Sequence, residues 1–225
     1  MPFFILPEVT LDTNNKLDDD QLGLIVHSYN NHLASMMGYI ELLLIQSDSD
    51  TSKEYLNNSL DSGHNAVHFG KQILASLGRL QVSFETCCLI HLIQPLELNS
   101  NLELDISSVN ENITVSTCPK WFTECLVDLI SFSLKVSTSG QIKVIVNHRE
   151  GDDNCSIELI AGETNLSEEQ QKLLFKPFYA SRTMFGTKDI GLSKAKGFFE
   201  QMNSTLAWIQ GKGFVINLPL CVESD

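Results

Sequence analysis

The sequence predicts an α+β protein in which a long helical hairpin precedes an α/β sandwich. Three observations carry this expectation. Two heptad seams run before Leu80, a polar break separates them, and after Leu80 the texture changes to short apolar runs alternating with helical stretches. The chain has 225 residues, 43% hydrophobic and 19% charged, a globular composition with length for one large domain or two modest ones.

Taken in order, the first seam is Leu22, Val26, Tyr29, Leu33, Met36, Ile40 and Leu43, in alternating steps of four and three. Asp18, Asp19 and Asp20 precede it, where carboxylates complement a helix N-terminus. The turn formers Ser47 to Ser52 end the helix, and a second seam follows at Leu56, Leu60, Gly63, Val67, Gly70, Leu74 and Leu77. Two such helices joined by a short loop form an antiparallel hairpin. Further apolar positions at Ile25, Met37, Leu44, Phe69 and Ile73 exceed what one partner helix covers, so a homodimeric four-helix bundle is expected. Runs at Leu102–Ile106, Ile142–Val146, Ser156–Ile160, Thr205–Ile209 and Gly213–Leu218 read as strands. Helical stretches are expected at Phe84–Glu97, Pro119–Val136, Ser167–Phe175 and Leu192–Met202.

Charge narrows the function classes. The formal net charge of -13 repels phosphate backbones and anionic bilayers, so neither nucleic acid nor membrane is an expected partner. The longest apolar stretches, Phe3–Leu6 and Cys87–Ile93, fall far short of the ~20 residues that span a bilayer. Met1–Pro7 has no basic n-region, and a cytoplasmic location is expected. Six cysteines without a C-x-x-C pair read as reduced core thiols, and no metal site is expected. His32, His64 and His68 read as solvated, and Trp121, Trp208, Phe175 and Phe178 as core or boundary packing.

The chemistry centres on the first helix, which carries His27-Ser28-Tyr29-Asn30-Asn31-His32-Leu33 and then Gly38-Tyr39-Ile40-Glu41-Leu42. His27 falls beside the seam, a position where an imidazole is anchored yet open to solvent and can accept a phosphoryl group on a ring nitrogen. With these residues the chain resembles the bacterial two-component sensor histidine kinases, in the class whose phosphoacceptor box reads His-Asp-x-Asn-Asn-Leu-Leu. The resemblance runs over about residues 16 to 220. Leu174-Phe175-Lys176-Pro177-Phe178-Tyr179 is similar to the family's Leu-Phe-Glu-Pro-Phe-Phe box, and Gly191-Leu192-Ser193 to the start of the helix after its ATP lid. Gly197-Phe198-Phe199 and Gly211–Pro219 are similar to its C-terminal helix and last strand.

The resemblance implies a histidine-kinase-type ATPase-like sandwich, a phosphoacceptor at His27, and degenerate nucleotide contacts. Asp128 and Phe132 stand on the family's magnesium-coordinating helix, and phenylalanine offers the ion no oxygen. Ala161 replaces the aspartate that reads adenine. In Thr187-Lys188-Asp189-Ile190-Gly191, Thr187 and Asp189 replace glycines, and Asp189 adds a like charge beside the triphosphate. Asp189 is expected to cap the helix near Gly191 instead. Ser28 stands where an acidic residue follows the family's histidine.

The implied function is histidine phosphotransfer in a phosphorelay, with response-regulator receiver domains as partners, a hybrid sensor kinase as a further one, and no cofactor bound. Asn31 is a candidate for orienting a water, and Asn30, Ala34 and Gly38 for docking the receiver. A pseudokinase adaptor and an active sensor kinase are the alternatives. The expected division is an N-terminal segment 1–15, a dimerisation and phosphotransfer hairpin 16–82, and a degenerate ATPase-like domain 83–225.

Overall fold

A computed structural model of the protein describes residues 19–98, 101–109, 113–149, 151–177, 179 and 190–221. The expectations placed on residues 1–15, Asp18, Phe178, Thr187, Lys188 and Asp189 lie outside the described residues.

Helix α1 (Asp19–Gln46) and helix α2 (Asp50–Ser76) form the expected hairpin. The loop is only three residues long, because Ser49 caps α2 by accepting from the Ser52 amide at 3.4 Å, drawing the second half of the turn-forming cluster into the helix. The α1 seam divides between two faces. Val26 is buried and Leu33 and Ile40 are half-buried, whereas Tyr29, Met36 and Leu43 are more than half exposed. The hairpin-facing positions of α1 are Val26, Asn30, Leu33, Met37, Ile40 and Leu44, again spaced by four and three. On α2 the missing side chains of Gly63 and Gly70 receive Met37 and Asn30; a Cβ at Gly63 would lie 2.7 Å from Met37 Cγ. Asn30 is a polar group in an apolar seam, facing a notch of matching size at Gly70, and such a residue fixes register.

The sandwich begins with β1 (Glu85–Cys88), α3 (Leu89–Ile93) and a 3-10 turn at Gln94–Leu98. The expected helix over Phe84–Glu97 is therefore strand in its first part, because Thr86, Cys87 and Cys88 pair antiparallel with β3 (Thr114–Thr117), a strand the sequence pattern did not reveal. A five-stranded mixed sheet follows in the order β2-β4-β5-β7-β6, made of β2 (Leu102–Ser108), β4 (Ile142–Asn147), β5 (Asn154–Ile160), β6 (Thr205–Ile209) and β7 (Gly213–Pro219). Only β2 and β4 pair in parallel. Helix α4 (Pro119–Val136) and helix α6 (Gly191–Gln201) cover one face, and their apolar sides close the core with Val144, Ile157, Leu159, Phe214 and Ile216. Helix α5 (Glu168–Lys172) is a short capped turn between β5 and α6.

The six cysteines form no disulfide; Cys125 and Cys155 are buried and the other four half-buried. Burial pushes the Cys155 thiol up to about 12 and raises Cys125 as well, so neither forms a thiolate at neutral pH. No described helix is long and apolar enough to cross a membrane.

Candidate functional site

His27 is exposed on α1, and Asn31, one turn on, places its Nδ2 3.3 Å from His27 Nδ1. The two residues that the sequence pairs by spacing are thus in contact. At roughly 100° per residue, His27, Asn31, Ala34 and Gly38 share one strip of the helix. Ala34 is exposed, and a Cβ added to Gly38 would meet nothing within 4 Å, so the strip is low and open. Ser28 is exposed beside it. Asn30 is turned away: it faces Gly70 across the hairpin, and its Oδ1 has no hydrogen-bond partner among the described residues. The candidate docking set therefore separates, with Ala34 and Gly38 on the His27 strip and Asn30 inside the hairpin.

The second group of candidates lies where α4 meets α6. Asp128 packs against the first turn of α6, where a Cβ on Gly191 would come 2.7 Å from its Oδ2. One turn along α6, Lys194 is 1% exposed, with Nζ 2.6 Å from both Asp128 Oδ2 and Glu124 Oε1. Burial alone would push the Lys194 ammonium down, but the carboxylates of Asp128 and Glu124 hold its pKa above the ordinary lysine value. Phe132 is buried in an aromatic cluster, 5.8 Å from Phe214 and 6.3 Å from Trp208 between ring centroids, with Phe175 6.0 Å from Phe214. Ala161 is buried, and the segment after it is tied to the end of α4 by Thr138 N donating to Glu163 O at 3.0 Å and Asn165 N donating to Val136 O at 3.3 Å.

Comparison with known proteins places this arrangement. No family model matches the chain. The sensor protein EvgS of Escherichia coli strain K12 is 25% identical over 237 aligned residues, covering 91% of this chain and 19% of EvgS. EvgS of strain O157:H7 is 25% identical over 232 residues. The chain spans about a fifth of the length of these curated relatives. The full-length ShkA structure, solved with AMPPNP, superposes over 93% of this chain and 47% of its own with a TM-score of 0.60 at 14% identity. The nucleotide-free catalytic domain of the histidine kinase ThkA superposes over 61% of this chain and 96% of its own, with a TM-score of 0.51 at 18% identity. In sequence the chain is similar to a bacterial sensor protein, and in fold to solved histidine kinases. The hairpin and the mixed sheet match the histidine-kinase architecture, whose second part is an ATPase-like domain.

Set against the magnesium nucleotide that the histidine kinase family implies, the side chains present do not fit. Phe132 gives the ion no oxygen and is committed to aromatic packing, Ala161 gives adenine no acceptor, and Asp128 puts a carboxylate at the α6 N-terminus, where a phosphate would need free amides. Asp128 brings this carboxylate to the first turn of α6 from another helix. Sequence reading missed Lys194 and Glu124. The signal for Lys194 was its place three after Gly191 and four before Phe198, on the apolar side of α6. His68, read as solvated, instead stacks on Trp121 at 5.6 Å and pairs with Glu124 at 3.2 Å. Its side chain remains 40% exposed, which is why spacing alone did not reveal the contact.

Proposed function

We propose that the chain is a histidine phosphotransferase of a two-component phosphorelay, passing a phosphoryl group through His27 between receiver-domain aspartates without using ATP. The observation that carries this reading is the exposed His27 on an open strip, with the Asn31 carboxamide against Nδ1. As placed, the amide donates to Nδ1. A half-turn of the carboxamide presents Oδ1, which accepts from Nδ1–H and leaves the lone pair on Nε2 as the nucleophile. Nε2 attacks phosphorus as the aspartyl oxygen leaves as carboxylate: a P–N bond forms, a P–O bond breaks, and no oxidant, reductant or water is consumed. The return step onto a second receiver is the reverse. The receiver supplies the metal and the electrostatics, so the absence of an acid at Ser28 does not obstruct transfer.

In the same reading the chain divides at 1–15, 16–82 and 83–225, and it dimerises through α1. The flank bearing Ile25, Tyr29, Met36, Tyr39 and Leu43 is exposed over half or more of each side chain and lies roughly opposite the His27 strip on the helix circumference. A bundle closed through that flank leaves His27 accessible to receivers. The variants Ala34→Arg and His27→Ala test the assignment. Ala34→Arg is expected to block both receiver binding and transfer with the dimer intact, and His27→Ala to abolish transfer while receiver binding persists. An adaptor would keep its function in His27→Ala, and transfer surviving in that variant would refute the proposal.

A further inference from the structure

The hairpin and the sandwich touch along α2, and a single oxygen atom lies at the centre of the polar part of that contact. Glu124 Oε1 on α4 pairs with His68 Nε2 at 3.2 Å and accepts from Gln72 Nε2 at 3.3 Å, both on α2, and from Lys194 Nζ at 2.6 Å on α6. Gln72 Nε2 also lies 3.1 Å from His68 Nε2, so the α2 pair is itself joined. The His68 ring stacks on Trp121 at an interplanar angle of 26°, and Lys194 Nζ sits 5.8 Å from the Trp121 ring centroid. The surrounding contacts leave little clearance. Gly197 of α6 lies against the end of α2, where a Cβ would come 2.8 Å from the Ser76 carbonyl carbon. Gln201 brackets Leu80, accepting from its amide at 3.1 Å and donating to its carbonyl at 2.7 Å.

We infer that Glu124, His68, Gln72 and Lys194 form a lock that fixes the sandwich at one angle on α2, with Lys194 as the residue that positions Glu124. The register of the hairpin sets where this lock acts. Gly70 faces Asn30 and Gly63 faces Met37, so His68 and Gln72 lie within about one helical turn of the level of His27 and Asn31. A sandwich able to swing would have to part the His68–Trp121 stack and leave Glu124 Oε1 without its α2 partners. Lys194 is too deeply buried to follow such a motion, and its pairing with Asp128 holds it on the sandwich side while it orients Glu124 toward α2. None of these groups takes part in the phosphotransfer proposed above, and the lock does not depend on that reading.

The test is an inter-label distance distribution in the full chain, with azide-bearing residues at Ser59 and Gln210 coupled to spin labels so that the native thiols stay unmodified. The labelled chain is diluted into an excess of unlabelled chain. One narrow distance is expected for the unsubstituted chain and for His27→Ala. Glu124→Ala and Lys194→Met are expected to add a second, longer-distance population, with Glu124→Gln intermediate because its amide oxygen still accepts from Gln72. The combined His68→Ala and Gln72→Ala variant touches only the hairpin side, and it decides the matter if Glu124→Ala fails to fold. An unchanged distribution in that combined variant, or a broadened one in His27→Ala, overturns the lock.

Discussion

A lysine buried to 1% exposure keeps its charge only where anions replace its water, and Lys194 has two carboxylates at 2.6 Å. Replacing it by methionine removes the buried cation that Glu124 and Asp128 both face, and we expect Lys194→Met to lower stability by about 3 kcal/mol in urea unfolding at neutral pH. The pH dependence follows from both partners. Burial works against the Glu124 carboxylate, but Lys194, Gln72 and His68 outweigh it and hold its pKa below the ordinary value. Its contribution is therefore present above the unfolded glutamate pKa and is lost as pH falls through the lowered folded one. Lys194, raised in the fold, contributes below the unfolded lysine pKa and loses that contribution as pH rises through its own folded value. The stability difference between the unsubstituted chain and Lys194→Met should be full above the unfolded glutamate pKa of about 4.3 and shrink as pH falls below it; a difference that grows on acidification would contradict the ion pair. At this scale the sequence was legible for His27 and Asn31, whose contact is one helical turn long. It was opaque for Lys194, whose carboxylate partners are remote in sequence.

Among the elements, α1 bears the most informative mismatch. Its seam points between two directions, with Val26 and Leu33 leaning on α2 and Tyr29, Met36 and Leu43 facing outward, as a helix does when it borders both a hairpin partner and a bundle axis. Charges at Tyr29 and Met36 are therefore the clean probe of assembly. Tyr29→Glu with Met36→Glu should yield a monomer in sedimentation with helical circular dichroism retained, whereas Val26→Glu should damage the hairpin itself. In the proposed dimer, covering the exposed half of each such side chain would contribute about 1 kcal/mol. A dimer that persists in the double variant would place the interface elsewhere. The strands β4 to β7 were legible because one face is buried and the apolar residues alternate. Strands β1 and β3 were not, since each is four residues long and exists through pairing with the other across an intervening helix and strand.

Over the whole molecule, an ATPase-like sandwich retains its architecture, and in the function proposed here Phe132, Ala161 and Asp128, each engaged within the chain's own packing, take the place of nucleotide contacts. We expect no shift in melting temperature with millimolar ATP and magnesium, since a ligand that binds only the folded state must raise it. The fold class was legible in the sequence as the change from heptads to alternation; the packing of α6 against α2 was not, because it rests on contacts such as Gly197 against Ser76 and Gln201 against Leu80 that no local pattern announces. The central claim, that His27 carries phosphate received from an aspartate, is tested most directly by mixing the chain with radiolabelled phospho-receiver domains. The account predicts acid-labile, alkali-stable label on the chain, none on His27→Ala, and none from labelled ATP with magnesium. Label acquired from ATP, or label persisting on His27→Ala, would contradict it.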